Sequence, residues 1–193
     1  MSKSMEQTSK PNRFIPGFLT ASVASANSGL PSADSTPSCL EVPRNLFFKT
    51  MGALEKRSDG LRESAGVWAG QVIGELRWQP KRLYLHHKLY ADRAGPLSLE
   101  LTEAAKLQLY EQLARQHLRL VALIHTHPQA WVDLSEIDRA NQLSSRVGFW
   151  SIVVPWYSSR PWRVDAIGFH VRTETGWHRL TASEVKWRVS ILE

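Results

Sequence analysis

A chain of 193 residues is long enough for one domain with a sizeable core, and its 42% hydrophobic and 22% charged residues match globular composition. The net charge of +6 comes from scattered Lys and Arg rather than a basic run, so it describes a mildly basic surface and makes nucleic-acid binding a poor explanation. One cysteine, Cys39, excludes an internal disulfide and a cysteine-built zinc site, and no apolar run reaches the roughly 18 residues that span a bilayer.

Residues 1–38 are rich in Ser, Ala, Pro, Asn and Thr and poor in branched apolar residues, a composition that buries too little surface to offset the entropy of ordering it. They are expected to form a disordered or loosely docked tail, with the folded domain over 39–193. Lys3, Lys10 and Arg13 precede Phe14–Ala26 in the order of a secretory signal, but Pro16, Gly17, Thr20 and Ser22 interrupt its apolar region. A flexible leader on a cytoplasmic protein is the expectation.

After Pro43, the spacing of Phe47, Met51 and Leu54 predicts a helix ending at Ser58-Asp59-Gly60. Gly66–Ile73 predicts a buried strand closed by Gly74, and Arg82–His87 a second strand. Ala104–Gln116 predicts an amphipathic helix with Leu107, Tyr110, Leu113 and Ala114 on its apolar face. Leu118–Ile124 is a continuous apolar strand ending where His125 begins. Leu134–Leu143 predicts a helix and Phe149–Pro155 a buried strand. Arg163–Val171 and Trp177–Thr181 predict a hairpin, and Ser183–Leu192 a closing helix. This order predicts an α/β domain, one central mixed sheet flanked by helices.

The chemistry concentrates in His125-Thr126-His127-Pro128 and, after Gln129–Leu134, Ser135-Glu136-Ile137-Asp138. Side chains two apart on an extended segment project to one side, so His125 and His127 can converge on one ion, and Pro128 keeps His127 extended. Asp138, three residues after Ser135, shares a helix face with it. Two imidazoles and a carboxylate are ordinary zinc donors that leave a fourth tetrahedral position open, which points to a metal-assisted hydrolase. Other readings stand beside this one. Ser135 and Asp138 also fit a helix capping box, and either histidine also fits a hydrogen-bonded polar residue at a strand end.

The string His125-x-His127-Pro128, a six-residue gap, Ser135, two residues and Asp138 resembles the JAMM signature of the JAB/MPN metalloproteases. The family's upstream glutamate pattern, Glu-x-x-Gly followed by three mostly apolar residues and Gly, is matched by Glu63-Ser64-Ala65-Gly66-Val67-Trp68-Ala69-Gly70. Trp68 departs from it, being bulky where the family has an aliphatic residue. The resemblance covers roughly 40–193 and implies a cytidine-deaminase-like JAB/MPN fold.

It further implies that His125, His127 and Asp138 hold one Zn²⁺ per chain, that Glu63 acts as general base and then general acid, and that Ser135 donates to the oxyanion. Beside this role, a carboxylate at a strand start also fits an ion pair with a neighbour such as Arg62, and Asp133 and Glu136 are taken as bystanders. The implied activity is that of a bacterial-type (iso)peptidase cutting after the C-terminal tail of a ubiquitin-like protein, within a conjugation system acting against phage. Alternatives are a hydrolase freeing a sulfur-carrier protein or a carrier-bound amino acid, and a non-catalytic MPN scaffold. Tyr90–Leu97, Trp131 and Trp156–Trp162 are candidate walls for the tail.

Overall fold

A computed structural model describes residues 38–74, 76–85 and 102–193. The expected tail over 1–38 therefore lies almost entirely outside the described residues, as do His86, His87 and the Tyr90–Leu97 wall. Among the described residues no helix is long and apolar enough to cross a membrane.

One eight-stranded mixed sheet organises the domain. Its strands are β1 (Cys39–Pro43), β2 (Ala65–Ile73), β3 (Arg77–Tyr84), β4 (Arg119–Thr126), β5 (Trp150–Val154), β6 (Gly168–Arg172), β7 (Trp177–Arg179) and β8 (Val189–Leu192). They lie in the order β7-β6-β5-β4-β2-β3-β1-β8. The helices are α1 (Arg44–Ser58), α2 (Glu103–Arg115), α3 (Glu136–Ala140) and α4 (Ala182–Arg188). The α/β class expected from the sequence is the class observed.

Period-two alternation sorts each strand's side chains into two cores. Trp68 of β2 packs with Leu46, Phe47, Met51 and Leu54 of α1, and with Trp78, Ile124, Ile152 and Trp150. Its neighbours Val67 and Ala69 point the other way, onto Ala105, Leu109 and Leu113 of α2. Trp68 is fully buried and donates through Nε1 to Thr50 Oγ1 at 2.7 Å, so the residue that departs from the family pattern belongs to the core.

α1 ends where the sequence placed its stop, with Asp59 and Gly60 both left-handed at φ 50° and 66°. Five other expectations need correction. β3 begins five residues before the expected Arg82, because Trp78 and Pro80 face inward against β2. Pro80, which reads as a strand breaker, sits opposite Gly70 where a bulge shifts the register. A Cβ at Gly70 would lie 1.9 Å from the Gln79 carbonyl oxygen, so only glycine fits there.

The buried stripe of α2 is Ala105, Leu109 and Leu113, while Leu107 is 60% exposed and Tyr110 43%. Both stripes obey helical spacing and share Leu113, and only contact with β2 and β4 of the sheet selects between them. α3 is five residues rather than ten, since Leu143 turns into the second core and its carbonyl accepts from Tyr110 Oη at 2.5 Å. The last residues, Val189–Leu192, leave the expected helix and pair in parallel with β1. Val164–Ala166 is a 3₁₀ turn, so β6 starts only at Gly168.

A candidate metal centre at the end of β4

His125 is the penultimate residue of β4, and His127 follows the strand with its N–H donating to the Val154 carbonyl at 2.9 Å. Both side chains are buried. β2 runs antiparallel to β4 with Ala65 opposite His125, and Thr126 N–H donates to the Ser64 carbonyl at 2.9 Å. Counting back along that register places Glu63 across from His127. Residues 62 and 64 positions apart are thus brought to one end of the sheet by a strand pairing.

Asp138 arrives from α3. Ser135 is the N-cap and forms a complete capping box. Its N–H and its hydroxyl each donate to Asp138 Oδ2 at 2.7 Å, while Asp138 N–H donates back to Ser135 Oγ at 3.1 Å. The cap and the cluster are one construction, because the same carboxylate faces the histidines. Asp138 Oδ1 lies 3.2 Å from His125 Nε2, and Oδ2 lies 3.5 Å from His127 Nε2. Each of the three residues offers a ligand atom within 4.8 Å of the others.

The 3.2 Å approach is not a hydrogen bond. His125 Nε2 is buried and, among the described residues, lacks an aligned partner, as does its Nδ1. Nitrogens that face a common point beside a carboxylate, rather than pairing with it, fit a cation held between them. His127 is oriented from behind: Nδ1 lies 3.0 Å from the Trp131 carbonyl, which can only accept, so Nδ1 carries the proton and Nε2 presents its lone pair. The Trp131 indole stacks on the same imidazole at 5.1 Å and 16°.

Electrostatics follow from this crowding. Burial pushes the Glu63 carboxyl above its ordinary range; His127 and His125 pull it down and Asp138 adds to the rise. Burial would raise Asp138 as well, but the contacts from His125, His127 and Ser135 outweigh it and hold this carboxyl far below the usual carboxylate range. Burial would lower His127, and its partners Asp138 and the Trp131 carbonyl reverse that, leaving it above the ordinary histidine value.

Glu63, His127, Pro128, Gln129, Trp131, Ser135, Ile137 and Asp138 line one cleft of about 230 Å³. Every candidate ligand and catalytic residue except His125 borders it, and Trp131 forms a wall, whereas none of Trp156–Trp162 lines it. Glu63 makes no ion pair with Arg62 among the described residues, and Glu55 pairs with Arg160.

Two features had no local signal in the sequence. Trp156, Tyr157 and Ser158 are consecutive left-handed residues at φ 54°, 53° and 64°. Such a turn costs about 1–2 kcal/mol per residue without glycine. Several bonds hold it: Tyr157 N–H to the His127 carbonyl at 2.8 Å, Trp156 N–H to the Gln129 carbonyl at 3.2 Å, Ser58 Oγ to the Tyr157 carbonyl at 2.9 Å, and Ser158 Oγ to the Met51 carbonyl at 3.0 Å. It braces the start of the loop that follows the histidines.

The second is Asp133, taken from the sequence as a bystander. It accepts from Leu134 N–H at 2.8 Å and lies 3.0 Å from Nε2 of the fully buried His170, with Arg139 at 3.4 Å and Arg179 at 3.6 Å.

No protein-family model matches the chain, and no curated protein matches it. Among solved structures it is similar to protein DSY2949 from Desulfitobacterium hafniense, with a TM-score of 0.57 and 13% identity over 80% of this chain and 93% of that one. This is a likeness of fold. AF2198 from Archaeoglobus fulgidus, described as a JAB1/MPN domain protein, aligns over 79% of this chain and 99% of its own at 14% identity, with a TM-score of 0.44, too loose a superposition to carry an argument.

Proposed function

We propose that this chain is a JAMM-type zinc hydrolase that cleaves the (iso)peptide bond after the C-terminal tail of a ubiquitin-like protein. The observation that carries the reading is the convergence of His125, His127 and Asp138 beside Glu63 in one open cleft. Two imidazole nitrogens and a carboxylate oxygen suit zinc and leave a position for substrate or water. When bound, zinc would polarise the scissile carbonyl and bring the pKa of a coordinated water toward about 7.

The Trp131 carbonyl accepts from His127 Nδ1 and its indole stacks on the ring, so the Nε2 lone pair stays turned into the cleft beside Asp138. Glu63, its carboxyl raised by burial, is suited to take the proton of the attacking water and return it to the leaving amine. Ser135 Oγ, bonded to Asp138 in the resting site, turns to donate to the developing oxyanion while the Ser135 N–H keeps its hold on the carboxylate. The setting we infer is a bacterial ubiquitin-like conjugation system, with the tail's carboxylate and a lysine or peptide amine as products.

Elemental analysis of protein purified without a metal-affinity column tests this directly. The expected result is about one zinc per chain, lost in His127→Ala, with cleavage of a ubiquitin-like fusion lost in Glu63→Ala although its metal remains. Wild-type protein that holds no zinc and takes up none when it is added overturns the reading.

A further inference from the structure

The loop from Pro128 to Leu134 supplies a contact to two of the three candidate ligands: the Trp131 carbonyl accepts from His127 Nδ1, and its end presents Ser135 to Asp138. It has no regular structure of its own, so something else must fix it. β6 does so at two residues on one face of the strand, Gly168 and His170.

At Gly168 the loop backbone comes so near that a Cβ would lie 2.0 Å from the Val132 carbonyl oxygen. Val132 and Leu134 bury themselves there with Val153. At His170, Nε2 meets Asp133 Oδ1 at 3.0 Å. Arg179, the cross-strand partner of His170 on β7, reaches Asp133 Oδ2 at 3.6 Å, and Arg139 of α3 reaches Oδ1 at 3.4 Å. Asp133 thereby ties together the loop, β6, β7 and the helix that carries Asp138.

We propose that Asp133 and His170 are positioning residues that fix the loop on β6 and so set the orientation of His127 and Asp138. Neither borders the cleft, and neither touches a ligand atom. Their effect passes through the Trp131 carbonyl on one side and through Arg139 and the Ser135 cap on the other. The inference rests on the metal reading for its consequence, while its structural part is measurable without metal.

The experiment uses the whole chain with ¹⁵N-labelled histidine, as wild type, Asp133→Ala, Asp133→Asn and His170→Gln. In metal-free protein the His127 ring nitrogens report its tautomer. At a pH high enough to keep the ring neutral, wild type is expected to show the proton on Nδ1, and Asp133→Ala to move toward free-histidine shifts. Asp133→Asn, which keeps an oxygen facing Leu134 N–H and His170, is expected to fall between them.

In zinc competition assays Asp133→Ala is expected to bind about 10–100-fold more weakly. Removing both partners is expected to cost no more than removing Asp133 alone, because they act as one unit. If Asp133→Ala does not fold, the isosteric Asp133→Asn and His170→Gln decide. Folded variants with wild-type ring shifts and wild-type zinc affinity overturn the proposal. A wild type that binds no zinc defeats the metal reading alone, since the tautomer measurement still decides whether Asp133 positions His127.

Discussion

Two histidine–aspartate groupings stand on the same side of the sheet and behave in opposite ways. In the closed one, buried His170 meets Asp133 at 3.0 Å, and two arginines complete the carboxylate's surroundings. In the open one, Asp138 faces two imidazoles at 3.2 and 3.5 Å, and His125 Nε2 still has no aligned partner among the described residues. Similar residue types thus give a satisfied clamp in one place and an incomplete donor set in the other. Composition does not separate them; what separates them is whether the polar atoms point at each other or at shared space.

The pKa directions follow this difference. Burial pushes His170 down to about 4, and its contact with Asp133 only partly restores it, so this imidazole stays neutral. His127 goes up instead, because its partners outweigh its burial.

The sharpest way to break the comparison is at Glu63. Glu63→Gln is expected to keep metal and fold while lowering turnover by about 10²–10⁴. A loss under about tenfold, in rates measured with bound zinc quantified, removes the open cluster's claim to hydrolysis.

The closed clamp has its own signature in pH. A histidine that titrates near 4 folded and near 6.5 unfolded leaves the folded state with fewer protons between those values. Its stabilising contribution is therefore present above about pH 6.5 and is lost as pH falls toward 4, by up to about 3 kcal/mol. Asp133, held below its ordinary value by its partners although burial opposes them, adds a further loss below about pH 3.8. Urea unfolding at pH 7.5 and 4.5 should show the drop in wild type and a clearly smaller one in His170→Gln; equal drops remove His170 from the account.

Gly168→Ala sharpens the contrast from the backbone side. The added methyl meets the Val132 carbonyl, with an expected cost of about 1–3 kcal/mol in denaturant titration. Ser135→Ala is the smallest change. It removes the cap from α3, about 1 kcal/mol, and should weaken metal uptake more than stability because Asp138 loses a hydrogen bond that orients it.

Some of this was legible in the chain and some was not. The strands around Val67, Ile124 and Ile152 and the helix carrying Phe47, Met51 and Leu54 follow from local apolar pattern. The face of α2 did not, since Leu107 and Leu109 both continue a helical stripe and only the sheet, through β2 and β4, chooses Leu109. Nor did β8, where Val189–Leu192 takes strand form because β1 offers an open edge to pair with. Asp133 gave no sign at all: its partner His170 lies 37 residues away, and nothing in either neighbourhood marks the pair.

The sequence alone determined which side chains are available for chemistry. Their spacing is a local property of backbone geometry: His125 and His127 two apart on an extended segment, and Ser135 and Asp138 three apart at a helix start. Tertiary structure decided what those residues face. The antiparallel register of β2 against β4 puts Glu63 across from His127, and β6 supplies the bed that fixes the loop between the histidines and Asp138. Both depend on contacts between distant segments, which no local rule encodes and which form only when the sheet closes and buries its two cores.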